Sequence, residues 1–360
     1  MKSGSFENLS MRIEGVAALH RYEGWRDCLE RTEEYFASKV TRVEQITKGG
    51  NNGVFLFESI AGDCVIGKFY QRDARNRLER EWRACTFLRR RNFAVPDPLF
   101  RDTDANFAVY SFESGQHVSS VEALEEDVFG LIDTLCRLHS LTPAHISEVF
   151  PDGIMAWFCS EDVAKEIDER FHTVLRSVED GVLHPRVSKM ITETNILGEI
   201  QNLLASRLAA SSALRWEVPT EGRRLSPVDF GFHNALFRGT EPPCIVDLEY
   251  FGWDDPLHTV ADFLTHDKTQ GLSEALRQRA IDRYVMQMRL SSEERERLDL
   301  MCELCDIRFL AIYLQSVTPR YLAVRAFAAA GDFDAEKYIS GQLEKIQKRR
   351  ERVRLIPFRR

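Results

Sequence analysis

The feature that most constrains the fold is a change of hydrophobic pattern partway along the chain. From Val43 to Tyr70 the sequence reads as three short strands separated by the turns GGNNG and AGD, which is typical of a small antiparallel sheet. After Gly115 the spacing of apolar residues becomes mainly helical, interrupted by the strand pair ALF and CIVDLEYF. We therefore predict an α+β fold with a small sheet lobe, a larger helical lobe and a cleft between them.

The length of 360 residues exceeds the usual size of one domain and agrees with two lobes. A helix is expected from about Asp73 to Arg90, followed by VPDPLF as a loop and NFAVYSF as a strand. Later helices are predicted over 121–141, 160–180, 186–210 and, almost unbroken, 258–350. Along the chain we predict a helical extension over 1–40, the sheet lobe over 41–113, the helical lobe over 114–345 and a basic tail over 346–360.

Composition favours a cytoplasmic protein. The sequence contains no run approaching the roughly 20 apolar residues of a membrane helix, and its start lacks the apolar stretch of a secretory signal. Most of the eight cysteines lie singly inside apolar runs, where a free thiol packs as a small hydrophobic group. Cys302 and Cys305 have zinc-type spacing but no second ligand pair, so we expect them in the core.

The formal charge of −8 is distributed unevenly. Residues 345–360 carry eight basic side chains and one acidic one, which leaves the remaining body near −15. An acidic body suits a cationic small ligand and argues against nucleic acid as the main partner. We expect the basic tail to be a solvated helix end, and the sequence indicates no membrane partner and no particular oligomeric state.

The GGNNG turn is a candidate phosphate-binding loop. Its backbone can turn tightly with exposed amides, although Asn-Gly is also the commonest signal of an ordinary hairpin. Lys68 follows fifteen residues after the turn, in the third strand, where its ammonium could pair with nucleotide phosphates. The candidate nucleotide-binding residues of this turn are Gly49, Gly50, Asn51, Asn52 and Gly53.

The next helix offers a partner for Lys68. Four of its apolar residues fall on one face, and Glu81 lies close to that buried stripe whereas Glu79 points away. We therefore expect Glu81 to reach Lys68 and hold it in place. The apolar positions are Leu78, Trp82, Cys85 and Leu88.

The segment LSPVDFGFHNALFRGTEPPCIVDLEYFGWDDP carries the strongest chemical signal. Asp229 and Asn234 are separated by four residues, and Asp247 follows 18 residues after Asp229. This order resembles a kinase core, in which an Asp orients or deprotonates the acceptor hydroxyl and an Asn and a second Asp hold magnesium. Asp229-Phe230-Gly231 also spells the metal-binding tripeptide of protein kinases, but no Asp lies between Asp180 and Asp229 to serve as its upstream catalytic residue.

The runs VDFGFHN, IVDLEY and DDPLHTVADF resemble the H-G-D-x-x-x-x-N, I-D-x-E and D-P-x-x-D-L motifs of the aminoglycoside phosphotransferase and choline kinase family, over residues 43–268. The resemblance implies a bilobal protein-kinase-like fold that uses ATP and Mg²⁺ to phosphorylate a hydroxyl of a small molecule. It implies catalysis by Asp229 and magnesium binding by Asn234 and Asp247. The hinge near Phe112 and Glu113 would hydrogen-bond adenine.

The sequence departs from these motifs at two places. Pro227-Val228 stands where the family has His-Gly, and His233 precedes Asn234 where the family has a small residue. A nucleotide-binding protein without transferase activity therefore stays open as the alternative function. A protein kinase is disfavoured because no A-P-E motif or activation segment follows Asp247.

Other polar residues near the motif are expected to be structural. The acidic residues after the second strand should cap and brace the next helix. The two histidines of that region have no partner pattern and are expected on the surface or in packing. These residues are Asp254, Asp255, Asp262, His258 and His266.

Replacing each of the two aspartates should affect nucleotide binding differently. Asp247→Ala should abolish both magnesium-dependent nucleotide binding and turnover, because it removes a metal ligand. Asp229→Ala should abolish turnover and leave nucleotide binding intact. Equilibrium binding of Mg-ATP and a phosphate-transfer assay on both variants check this. The reverse result would support the assignment of Asp229-Phe230-Gly231 as a metal-binding tripeptide.

Overall fold

The computed structural model describes residues 13–46, 52–210, 216–329 and 333–355. Packing divides the chain into two compact units, and each unit is discontinuous in sequence, so the stretch predicted as one lobe over 114–345 contributes to both. Unit 1 contains the described residues up to Ser114, Cys244–Glu249 and the described part of Ala323–Phe333. Unit 2 contains the described residues of Gly115–Pro243, Tyr250–Leu322 and the chain from Asp334.

Unit 1 is built on a five-stranded antiparallel sheet with the strand order β1-β2-β3-β5-β4. Among the described residues up to Ser114, one α-helix precedes the sheet and one lies between its third and fourth strands. In chain order the elements are α1 (Trp25–Phe36), β1 (Val40–Ile46), β2 (Gly53–Ser59), β3 (Cys64–Phe69), α2 (Arg77–Arg89), β4 (Pro98–Asp102) and β5 (Phe107–Ser111).

The prediction of a loop at VPDPLF is wrong, because residues from Pro98 onward form β4. This strand lies at the edge of the sheet and pairs on one side with β5. An edge strand tolerates proline because one side of its backbone needs no ladder hydrogen bonds. Local sequence rules that associate proline with loops therefore missed it.

The core of unit 1 includes the segment predicted as an N-terminal extension. Tyr22 stacks on Phe69 of the sheet with ring centroids 4.7 Å apart, and its hydroxyl donates to the Phe327 carbonyl at 3.0 Å. Leu19 and Cys28 are fully buried in the same core. The described residues before β1 thus cover one face of the sheet.

Most of unit 2 is helical. The helix predicted over 186–210 is divided into two at Asn195, which adopts a left-handed conformation with φ 46°. The helices after β5 are α3 (Glu125–His139), α4 (Ser160–Glu179), α5 (Pro185–Thr194), α6 (Ile196–Ala210), α7 (Pro256–Thr265), α8 (Glu274–Met288), α9 (Ser292–Ser316), α10 (Pro319–Ala328) and α11 (Ala335–Leu355).

Four short strands flank the motif segment. β6 (Arg224–Ser226) pairs with β9 (Gly252–Asp254), and β7 (Ala235–Arg238) pairs with β8 (Glu241–Ile245). The second strand of the predicted hairpin ends at Ile245, before the candidate metal ligand Asp247. The loop that carries Asp229 and Asn234 connects β6 to β7.

The end of α11 differs from the solvated helix end expected of the basic segment. Arg349 is only 4% exposed and pairs with Asp306 and Asp267. It also donates hydrogen bonds to the Thr265 carbonyl at 2.8 Å and to the Tyr313 hydroxyl at 3.1 Å. These two carboxylates compensate the charge of the guanidinium, which explains how one residue of a strongly basic segment can be buried.

The described helices include none that is both long and apolar enough to cross a membrane. All eight cysteines are free thiols, and Cys302 and Cys305 lie on α9. Burial raises the pKa of Cys302 to about 12, so this thiol is protonated at neutral pH.

Arg349→Ala should destabilise the protein by about 1.5–3 kcal/mol, because it removes charge-assisted hydrogen bonds although Asp306 keeps Arg352 and Asp267 keeps Lys345 as partners. Urea unfolding at neutral pH measures this change. Lys348→Ala is the matched control, since Lys348 is exposed on the same helix and should change stability by less than about 0.5 kcal/mol. Equal effects of the two substitutions would contradict the structural role of Arg349.

Candidate active site

Lys68 lies in the middle of the sheet of unit 1, on β3. It is in register with Val54 on one neighbouring strand and with Ala108 on the other. Its side chain is 9% exposed, and its Nζ donates to Glu81 Oε1 on α2 at 2.7 Å. The contact expected from the helical spacing of Glu81 is therefore present.

The second oxygen of the Glu81 carboxylate is held by Tyr70, which in turn contacts Tyr110. The Tyr70 hydroxyl donates to Glu81 Oε2 at 2.7 Å and lies 2.9 Å from the Tyr110 hydroxyl. Burial raises the pKa of Glu81, and the Lys68 ammonium offsets only part of that effect. Both carboxylate oxygens are hydrogen-bonded, so the carboxylate orientation is fixed.

Asp247 is the second carboxylate on Lys68, with its Oδ1 3.0 Å from Nζ. It follows β8 in a left-handed conformation with φ 62°, and its side chain is 33% exposed. Burial alone would lower the pKa of Lys68, but Asp247 and Glu81 together outweigh it and hold the pKa above its usual value. The ammonium is thus charged and shared between a buried and an accessible carboxylate.

Glu249 is a buried acid beside this pair. Asn52 Nδ2 donates to its Oε2 at 2.5 Å, and Arg77 Nε lies 3.7 Å from its Oε1. Burial and the nearby Asp247 carboxylate raise the pKa of Glu249 to about 7. Asn52 Oδ1 is buried and has no hydrogen-bond partner within the described residues, so this acceptor is open to a cation or a donor group.

The predicted phosphate loop is only partly described. Gly49, Gly50 and Asn51 lie outside the described residues. Gly53 begins β2, and a Cβ at this position would lie 2.3 Å from the Tyr22 hydroxyl. A larger side chain at this position would clash with Tyr22, so packing alone accounts for the glycine without any contact to phosphate.

Phe112 and Glu113 directly follow β5, as the predicted hinge requires. Phe112 is 49% exposed, and the Ser111 hydroxyl donates to Glu113 Oε1 at 2.6 Å. Adenine recognition by their backbone stays a prediction.

In unit 2, the loop before Asp229 has an unusual backbone. Val228 is 3% exposed and has a φ of 65°, the left-handed region in which a β-branched residue is strained by roughly 1–3 kcal/mol. Glycine at this position would adopt the conformation without strain. Val228 packs instead against Ile154 and Tyr250, so apolar contacts hold the strained loop in place.

Asn234 closes the same loop. Its Nδ2 donates to the Asp229 carbonyl at 2.9 Å, and its backbone N–H donates to the Gly231 carbonyl at 3.0 Å. Because the amide nitrogen is engaged, the side-chain oxygen is the atom left to bind a metal ion.

The Asp229 carboxylate is paired with a histidine from its own loop. His233 Nε2 lies 2.8 Å from Asp229 Oδ1. Burial would raise the pKa of Asp229, but His233 and the Asn234 side chain hold that pKa well below its usual range. The carboxylate is therefore ionised at neutral pH and accepts hydrogen bonds.

His266 directly follows α7, and one of its ring nitrogens lies within 4.8 Å of an Asp229 carboxylate oxygen. Its ring stacks on His233 with centroids 4.3 Å apart and an angle of 9° between the planes. Burial, assisted by the charge of His233, lowers the pKa of His266 to about 3. His266 was expected on the surface or in packing, and it packs against His233 beside Asp229, a position that only the tertiary structure reveals.

The acidic residues after Asp247 are buried and paired. Asp255 Oδ1 caps α7 through the Leu257 N–H at 2.9 Å, and Asp254 Oδ2 lies 2.8 Å from His258 Nδ1. Asp262 pairs with Arg308. The capping and bracing expected of these acids is thus present, and none of the three presents a free negative charge.

Comparison with known proteins places this arrangement in a family. The family model described as the phosphotransferase enzyme family, APH, matches residues 42–300, more than half of the chain. The chain belongs to this family. No curated protein matches it in sequence.

Solved structures of choline kinases and aminoglycoside phosphotransferases share the fold, which confirms the predicted protein-kinase-like class. Choline kinase LicA from Streptococcus pneumoniae is 15% identical with a TM-score of 0.59, over 90% of this chain and 98% of that one. The ADP-bound aminoglycoside phosphotransferase APH(2'')-Ib is 15% identical, with a TM-score of 0.56 over 89% and 96%. Choline kinase from Cryptosporidium parvum Iowa II is 13% identical, with a TM-score of 0.55 over 97% and 96%.

Glu249→Gln should make stability less dependent on pH. The pKa of Glu249 in the folded protein lies above its value in the unfolded chain. The stabilisation of the folded state that follows from this difference is fully present below about pH 4.5 and is lost as pH rises through about 7. Relative to the parent protein, the variant should gain roughly 1–3 kcal/mol between those pH values. Urea unfolding without metal across this range checks the prediction, and a constant difference between the proteins would contradict it.

Proposed function

We propose that this protein transfers the terminal phosphoryl group of ATP to a hydroxyl of a small molecule. The observation that carries the proposal is the charged Lys68 shared between Glu81 and the accessible Asp247 in unit 1. Membership of the phosphotransferase family supports it. So does the ionised, hydrogen-bonded Asp229 in unit 2.

We assign Lys68 to the nucleotide phosphates. Its ammonium is oriented by Glu81 and is charged at any physiological pH, as phosphate pairing requires. The GGNNG segment and the backbone near Phe112 and Glu113 are proposed to contact the rest of the nucleotide.

The residues proposed for Mg²⁺ have suitable chemistry. Asp247 offers an accessible carboxylate, and Asn234 has its amide nitrogen engaged and its oxygen available. The orphaned Asn52 Oδ1 and the buried Glu249 add oxygen atoms near Asp247. Oxygen donors are what Mg²⁺ requires, and when bound the ion neutralises charge on the phosphates.

Asp229 is proposed to orient the acceptor hydroxyl. Its low pKa makes it a weak base, so accepting a hydrogen bond from the hydroxyl matters more than early proton removal. The hydroxyl oxygen forms a bond to the γ-phosphorus while the bond to the bridging oxygen of ADP breaks. The hydroxyl proton passes to Asp229 and then to solvent.

The acceptor is proposed to be a small alcohol, and the net charge of the body favours a cationic one. Asp254, Asp255 and Asp262 do not support a cationic acceptor, because they are buried and paired. The free, mostly buried thiols agree with a cytoplasmic location.

The alternative is a nucleotide-binding protein without transferase activity. It was suggested by Pro227-Val228 in place of His-Gly. Val228 nevertheless adopts the left-handed conformation that suits glycine, and the Asn234 side chain donates a hydrogen bond to the Asp229 carbonyl. This observation favours an active enzyme.

Mg-ATP at about 100 times its dissociation constant should stabilise the protein by about 2.7 kcal/mol. Thermal unfolding with Mg-ATP, with ATP plus chelator and with Mg²⁺ alone measures this, and Asp247→Asn should lose the Mg-ATP effect. No stabilisation at saturating Mg-ATP would contradict the proposal.

Phosphate transfer from labelled ATP to an aminoglycoside, choline, a neutral sugar and a peptide should then identify the acceptor class. Transfer to a cationic alcohol should weaken as salt rises, because ions screen exposed charge beyond about 8 Å at physiological ionic strength. Transfer to the peptide, or to a neutral alcohol without a salt effect, would exclude the cationic acceptor. Mg-ATP binding without transfer to any acceptor would favour the alternative function.

A further inference from the structure

Three side chains in unit 2 form a cluster with the donor atoms of a transition-metal site. One ligand atom each from Asp229, His233 and His266 lies within 4.8 Å of the other two. All three residues are partly accessible, so an ion can enter from solvent. Two imidazoles and one carboxylate with an open position are typical of zinc and of non-haem iron sites.

We propose that Asp229, His233 and His266 bind Zn²⁺ or a similar transition-metal ion, and that this ion inhibits the enzyme by occupying its catalytic carboxylate. The binding site stands on the geometry of the three side chains alone. The inhibition rests on the proposed function, because it requires Asp229 to be the residue that receives the acceptor hydroxyl.

The contact between His233 and Asp229 is already close to metal-bridged geometry. Their Nε2 and Oδ1 atoms are 2.8 Å apart. With zinc bonds of about 2.0–2.1 Å and a tetrahedral angle, the two atoms would separate to about 3.3 Å. A shift of about half an ångström lets the ion replace the bridging proton, which leaves to solvent.

His266 is placed to supply the second nitrogen. Its ring stacks on His233, and its Nδ1 accepts a hydrogen bond from the Lys268 N–H at 3.1 Å. Nε2 is therefore the nitrogen offered to the ion. Ligation there moves the ring proton to Nδ1 and gives up the Lys268 hydrogen bond. Because a bound ion lies in the plane of each ligating imidazole, the two nearly parallel rings must also tilt out of their stack so that both nitrogens point to it.

The donor set separates this site from the proposed magnesium residues. Mg²⁺ prefers oxygen ligands in octahedral geometry, whereas two imidazole nitrogens favour Zn²⁺, Co²⁺ and Cu²⁺. Excess Mg²⁺ should therefore not displace the inhibitor. The family motif has a small residue where His233 stands, so the site depends on a residue in which this chain departs from the motif.

Titration of the metal-free, nucleotide-free protein with Co²⁺ tests the site without reference to kinase activity. We expect one ion per chain with the absorption of a tetrahedral nitrogen and oxygen site and no sulfur charge-transfer band. Zn²⁺ should displace it. His266→Phe and His233→Gln should each weaken binding by roughly tenfold or more. His172→Gln, on the exposed side of α4, is the matched control and should bind as the parent does.

Paramagnetic shifts of histidine ring signals in the unmodified protein keep the test decisive if a variant fails to fold. In the parent protein, Co²⁺ should shift the ring signals of two histidines. In a series of single histidine-to-glutamine variants, these shifted signals should be lost only when His233 or His266 is replaced. No bound Co²⁺, a thiolate band, or equal affinity in all variants would overturn the site. Metal binding without inhibition of phosphate transfer would overturn the inhibition, and absence of any transfer would instead contradict the proposed function.

Discussion

The buried ammonium of Lys68 is the interaction on which unit 1 depends. Removing an unpaired charge from water costs several kcal/mol, so the fold must supply compensating carboxylates. Glu81 comes from the adjacent helix, and Asp247 comes from a segment far along the chain. The demand for charge compensation therefore helps explain why Cys244–Glu249 packs with unit 1, although its neighbours in sequence belong to unit 2.

The loop of unit 2 that carries Asp229 depends on a different balance. Val228 is strained, and its burial against Ile154 and Tyr250 offsets the strain. The loop then directs the Asp229 carboxylate toward His233, and the Asn234 amide fixes the Asp229 backbone. A loop without the family's His-Gly is thus held by the packing of Val228 and by the hydrogen bonds of Asp229 and Asn234.

Buried ion pairs explain why the net charge of the sequence does not indicate how much charge is exposed at the surface. Asp254, Asp255 and Asp262 belong to the acidic body counted from the sequence, yet each is nearly or fully buried against a histidine or an arginine. Arg349 shows the same effect for a basic segment. Formal charge counts ionisable residues, whereas electrostatic attraction depends on those that remain exposed and unpaired.

The sequence by itself determined the change from strands to helices, the family motifs and the pairing of Lys68 with Glu81, because each of these signals lies within a short stretch of chain. Helical spacing is enough to place Glu81 on the buried face of α2. Only the tertiary structure decided that β4 forms an edge strand, that Arg349 is buried and that His266 stacks beside Asp229. These features depend on which distant residue neutralises a buried charge or occupies a space in the packing, and local spacing carries no information about that partner.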